Sequence, residues 1–219
     1  MSEFQYQYKY PHPSVTTDCV IFGFDGSKLH VLLIERGFEP YKGRWAFPGG
    51  FLNMDETAME GAKRELYEET GMRDAYIRQF HTFSAVNRDP RERVITVSYY
   101  ALVHISEVEA GDDAAKAAWF PIDDVPDLAF DHHDMLNKAI TALQRDLHFE
   151  PIAFELLPES FTMAALQSVY EAVLGVHFAP QVFCNKMLKL GIVTPLYNTN
   201  PALYKLYPDS FAKCRETLL

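Results

Sequence analysis

An α/β sandwich followed by a small winged-helix-like α+β module is the fold class predicted by this 219-residue sequence. Three observations carry the prediction. Over the first two thirds of the chain, short apolar and β-branched runs are interrupted by two segments of helical periodicity, the pattern of a mixed sheet covered by helices. After residue 148 the charge thins out, Pro151 and Pro158 punctuate the chain, and two helical segments lead into an extended stretch. The charge divides at the same place. From Pro151 onward Lys186, Lys189, Lys205, Lys213 and Arg215 balance Glu155, Glu159, Glu171, Asp209 and Glu216, so the whole net charge of −10 sits in residues 1–150. The expected units are residues 1–148 and 149–219.

In chain order, residues 14–24 and 30–36 read as two strands joined through Asp25-Gly26-Ser27, a hairpin signal. A loop over residues 37–44 leads to Trp45-Ala46-Phe47-Pro48-Gly49-Gly50, whose paired glycines let backbone approach a ligand closely. Thr57 followed by Glu60 is a capping box, so a helix begins at Ala58, and Gly71 supplies the left-handed residue that ends it. Strands follow at 74–84, 94–105 and 117–121. Met135, Ala139, Leu143 and Leu147 recur every four residues in a helix over 131–147.

The helix from Ala58 carries the chemistry. At about 100° per residue, Glu65 and Glu69 share one narrow stripe, with Glu68 to one side and Ala58, Gly61, Ala62, Leu66 and Met59 on or beside it. Half-buried carboxylates need compensation. Hard divalent cations with oxygen ligands supply it, Mg²⁺ typically being shared between a few carboxylates and substrate phosphates. Arg64, four residues before Glu68, is placed to hold one carboxylate and to reach Glu56 in the preceding loop. The stretch from Gly50 to Met72 (Gly50, Glu56, then Arg64-Glu65-Leu66 and Glu68-Glu69-Thr70-Gly71) matches the Nudix box at every fixed position. The chain thus resembles the Nudix hydrolases, which implies an α/β/α fold and metal-dependent hydrolysis of a nucleoside diphosphate linked to another moiety. The resemblance makes Glu65, Glu68 and Glu69 the carriers of Mg²⁺ (or Mn²⁺), Gly50 a carbonyl ligand, Arg64 a catalytic partner and Glu56 its support.

Arg88, Arg91 and Arg93 lie in a loop of an otherwise acidic unit, and arginine suits bidentate phosphate contacts; a solvated turn with local ion pairs is the alternative. The segments RDPRERVITVSYYALV and GDDAAKAAWFPIDDVPDLAFDH are similar to the ADP-ribose pyrophosphatase branch of the family, and the signature of the NADH-cleaving branch is absent. These three arginines are the expected substrate contacts, and ADP-ribose or a close relative is the implied substrate. His132 and His133, being adjacent, do not share a face; helix-terminus contacts are expected of them rather than metal ligation. Glu107, Glu109, Asp112 and Asp113 form an acidic loop that offers a candidate base.

In the second unit, helices over about 161–174 and 179–190, each closed by a glycine, precede an extended ribbon over 192–207. LLPESFTMAALQSVYEAVLG and NPALYKL resemble the C-terminal domain of Nudix-related transcriptional regulators, implying an ADP-ribose- or sugar-responsive DNA-binding protein and a homodimer. Where that family presents arginines, this chain offers Lys186, Lys189 and Lys205, a thin set for phosphate contacts. The hydrolase is the leading expectation and the regulator its alternative. A nucleotide-sugar ligand is the expected partner in both. The N-terminal segment is polar and tyrosine-rich and no run reaches membrane length. Cys19, Cys184 and Cys214 are odd in number and lack CxxC spacing, so no membrane and a cytoplasmic location are expected.

Overall fold

The computed structural model describes residues 8–73, 75–105 and 114–207; the side chains of residues 114 and 115 are excluded. The first strand, β1 (Ser14–Phe24), is buried along most of its length and organises the sheet. It pairs antiparallel with β2 (Leu29–Arg36) and parallel with β6 (Val94–His104). Strand β6 pairs antiparallel with β5 (Tyr76–Phe83), and β2 with β7 (Ala114–Pro121). Two short strands, β3 (Trp45–Ala46) and β4 (Gly49–Phe51), attach to β2 and β1. The result is one mixed seven-stranded sheet.

Side chains alternate across β1, as a pleated strand requires. Cys19 and Ile21 face helix α1 (Ala58–Thr70) through Ala62 and Leu66. Val20, Phe22 and Phe24 face helix α2 (His132–Leu147) through Met135, Leu136 and Leu143. These are the two helical layers of the expected sandwich. Helix α1 begins as its sequence dictates: Thr57 accepts from the Glu60 N–H, Glu60 reaches back to the Thr57 N–H, and Gly71 closes it at φ 74°.

Beyond α2 a 3-10 turn (Ile152–Leu156) packs on β6 and on helix α3 (Met163–Leu174), which Thr162 caps. Helix α4 (Pro180–Leu190) follows, then a ribbon of β8 (Val193–Leu196) and β9 (Leu203–Leu206). Phe161 adds a bridge to Tyr204, tying the ribbon to the start of α3. Helix, helix and ribbon form the expected winged helix. Its core is continuous with that of the sheet: Leu147, Ile152, Phe154, Leu166, Tyr170 and Phe183 belong to the same buried cluster as Val20 and Tyr100. Polar links cross the same seam, Gln144 donating to the Val173 carbonyl at 2.9 Å and Arg78 to Glu150 at 2.6 Å. Among the described residues no helix is long and apolar enough to cross a membrane.

Candidate functional site

The sheet register builds the site. Antiparallel pairing sets Asp18 opposite Gly49 and Thr17 opposite Gly50, which brings the two glycines against α1. A Cβ on Gly49 would overlap the Thr17 carbonyl, so that approach requires glycine, whereas one on Gly50 would meet only the end of the Glu65 side chain. The Gly49 N–H donates to Glu69 Oε2 at 2.9 Å and holds that buried carboxylate in place.

Arg64 is the hub of the remaining acids. Its Nε and Nη2 form a fork on Glu56 at 3.0 and 2.6 Å, Nη1 reaches Glu65 at 2.6 Å and Glu68 at 2.9 Å, and Nη2 also donates to the Phe51 carbonyl. The Arg64 fork, helped by the Asn53 N–H, holds the Glu56 carboxyl down at about 2. Glu65 behaves oppositely: burial raises its pKa despite Arg64, and the charges of Glu68 and Asp18 add to the rise. Glu68 is the outermost, its side chain 53% exposed.

Gly49, Gly50, Arg64, Glu65, Glu68 and Glu69 line a cleft of about 420 Å³, with Glu56 behind Arg64 and outside the lining. Arginines line the same cleft. Arg88 is buried and committed in a fork to Asp131 at 2.9 and 2.7 Å, and Arg91 pairs with Asp89 at 3.0 and 2.7 Å with its guanidinium over the Phe51 ring. Both line the cleft. Arg93 does not; it is exposed and donates to the Ala85 carbonyl.

Asp18, Arg36 and His132 also line the cleft, where the sequence did not place them. Asp18 is the single charged side chain of a strand otherwise apolar or small and polar, a signal that could have drawn attention to it. Arg36, at the end of β2, stacks over Phe130 at 4.8 Å and donates from Nε to the Pro40 carbonyl. Among the described residues it forms no ion pair, and burial lowers its pKa, with the charge of Arg91 contributing. His132 is buried, stacks on Phe47 and accepts the Phe47 N–H on Nδ1 at 3.0 Å. That bond places its proton on Nε2, 4.0 Å from Asp18, and burial holds the ring neutral. His133 accepts the Leu128 N–H just before α2, whereas the backbone that His132 binds lies between β3 and β4. Glu107, Glu109, Asp112 and Asp113 lie outside the described residues.

The family model of the NUDIX domain matches residues 12–139, more than half of the chain. The chain belongs to the Nudix family. A second match, to the NrtR DNA-binding winged helix domain, covers residues 153–205. Over 195 residues the chain is 35% identical to the ADPR responsive transcriptional repressor NtrR of Acinetobacter baylyi, covering 86% of this chain and 78% of that protein. Over 128 residues it is 39% identical to the ADP-ribose pyrophosphatase of Methanocaldococcus jannaschii, covering 58% of this chain and 73% of that protein. The crystal structure of Shewanella oneidensis NrtR complexed with a 27mer DNA superposes with a TM-score of 0.76 at 29% identity, covering 90% of this chain and 95% of that one.

The Nudix unit thus holds the cleft, and the winged helix presents the expected cations. Lys186 and Lys189 stand exposed on α4 and Lys205 on β9. Among the described residues, no three His, Cys, Asp or Glu side chains form a ready cage for an ion.

Proposed function

We propose that the chain is a metal-dependent pyrophosphohydrolase acting on ADP-ribose or a related nucleoside diphosphate derivative. The observation that carries this reading is the complete carboxylate array, with Arg64 gripping Glu56, Glu65 and Glu68 while Glu65 lies against Gly50 at the cleft. The donor set fits a hard cation: Glu65, Glu68, Glu69 and the Gly50 carbonyl are all oxygen donors, and the half-buried Glu65 charge is only partly compensated by a shared guanidinium. When bound, Mg²⁺ (or Mn²⁺) would neutralise phosphate charge and activate water. The chain's own groups do the rest. Gly49 and Arg64 fix the carboxylates, Arg36 and Arg91 offer positive charge to a diphosphate in the cleft, and Arg88 with Asp131 braces its lining. The relationship to an ADP-ribose pyrophosphatase supports the substrate class.

Hydrolysis of ADP-ribose, NADH, diadenosine polyphosphates, sugar nucleotides and oxidised nucleoside triphosphates, followed with and without Mg²⁺, tests the reading. Metal-dependent turnover of ADP-ribose is expected, and Glu68→Gln abolishes it while the protein stays folded. Full activity in that variant would overturn the assignment.

A second reading, a transcriptional regulator responsive to ADP-ribose or a related sugar, is favoured by the winged helix and by the relationship to a repressor over most of the chain. The units are divided at 148/149 in this proposal and share one core. Three lysines in a neutral module make few phosphate contacts, so a homodimer is proposed, and its DNA binding falls steeply between roughly 50 and 200 mM salt. Binding that survives the higher salt would overturn this view of the module. The free cysteines Cys19 and Cys184 support a reducing, cytoplasmic setting.

A further inference from the structure

Helix α4 carries the next inference. Phe183 and Met187 are buried, Phe183 packing on Tyr170 and Phe178, and these anchors set which side of the helix faces outward. The outward arc, spanning about 160° at 100° per residue, holds Leu188, Gln181, Asn185, Lys189, Val182 and Lys186, all exposed. In a chain with net charge −10, the eleven residues of this helix include no carboxylate. Two lysines and two amides without an acid suit a polyanion that also offers hydrogen-bonding groups.

We infer that α4 reads an A·T base pair in the major groove, with Asn185 as the residue that recognises adenine. This rests on the regulator reading of the second module. An amide side chain presents a donor and an acceptor side by side, the match to adenine N7 and N6–H; a small apolar side chain matches the thymine methyl. Gln181 donates from Nε2 to Asn185 Oδ1 at 2.9 Å, one helical turn away. This bond orients the Asn185 amide, leaving it both N–H groups and one oxygen lone pair for the base edge. Val182, 67% exposed and one turn from Asn185, stands beside it as the methyl contact. Arginine, the commonest reader of guanine, is absent from the helix. Lys186 and Lys189 border the amides and take phosphates, which position the helix without reading sequence.

The test is selection of bound duplexes from a random pool by the full-length protein at about 50 mM salt, repeated with Asn185→Ala, Gln181→Ala and Lys186→Ala, each confirmed as folded by circular dichroism. The wild-type protein is expected to enrich an A·T pair at a fixed position. Asn185→Ala lowers that preference by roughly 5- to 150-fold and leaves the salt slope unchanged. Gln181→Ala weakens the preference at the same position and no other. Lys186→Ala keeps the preference, weakens all binding together and reduces the salt slope by about one. A preference unchanged in Asn185→Ala, or a G·C pair at the position it controls, overturns the assignment and leaves the regulator standing. No enrichment of any duplex by the wild-type protein removes the regulator reading and this inference with it.

Discussion

Glu65 shows how a functional side chain can work against the fold that holds it. Burial raises its pKa, so ionising the group costs more in the folded chain than in the unfolded one. The folded protein binds the Glu65 proton more tightly, and stability therefore declines as pH rises through the carboxylate range and stays lower above it. Replacing the charge should relieve the penalty. Glu65→Gln is expected to melt higher at pH 7, on the order of 2–4 °C, and to lose hydrolysis; below the ordinary carboxylate value of 4.5 the advantage disappears. Thermal melts of both proteins at pH 7 and pH 3.5 decide it, and a less stable variant at pH 7 would show that Arg64 outweighs burial. His132 gives the opposite pH signature. Its pKa lies below the ordinary 6.5, so below that pH the unfolded chain takes up a proton that the folded chain refuses. Stability should fall as pH drops from 6.5, and His132→Gln should fall less steeply over the same window.

Among the elements, β4 is decisive because it is wedged between β1 and α1. The two glycines it begins with face different neighbours. At Gly49 an added Cβ meets the Thr17 backbone and the Asp18 Cα, neither of which can move without shifting β1. At Gly50 it meets the end of the Glu65 side chain, which can swing aside. Gly49→Ala should thus cost about 1–3 kcal/mol of stability, while Gly50→Ala should melt near the wild-type protein and lose most of its hydrolysis. Urea melts and the hydrolysis assay separate the two; equal losses of stability would refute the distinction. The strand itself was not legible in the sequence. Two- and three-residue strands built on Trp45-Ala46 and Gly49-Gly50-Phe51 have no periodicity to detect, and only pairing with β1 and β2 makes them strands. By contrast, the Glu56, Arg64, Glu65, Glu68 and Glu69 constellation could be read directly, since those residues sit on one helix and its leading loop. Asp18, Arg36 and His132 reach the cleft from three separate elements, so nothing in their local sequence joins them. The arginine loop was legible as charge but not as geometry: the partner of Arg88 is Asp131, 43 residues away.

At the scale of the whole molecule, the unbroken core makes the two units one thermodynamic body. Each large apolar side chain fully buried contributes about 1.5–3 kcal/mol, and Leu147, Ile152, Phe154, Leu166 and Tyr170 all lie in the cluster that also holds the β1 and β6 side chains. Separating the winged helix from the sheet would expose apolar surface on both, so unfolding one should carry the other with it. The chain offers a clean pair of probes. Both tryptophans, Trp45 and Trp119, belong to the Nudix unit, and the partly exposed Cys184 lies on α4. With Cys214 replaced by serine and a fluorophore on Cys184, denaturant transitions followed by tryptophan emission and by the label should coincide. ADP-ribose at a hundred times its Kd should then displace both curves together, by about 2.7 kcal/mol. A label transition that precedes the tryptophan one and ignores the ligand would show the winged helix to be an independent body. Coincident, jointly shifted curves would mean that the free energy of a ligand in the cleft is felt at α4, the coupling that a ligand-responsive regulator requires and a hydrolase alone does not.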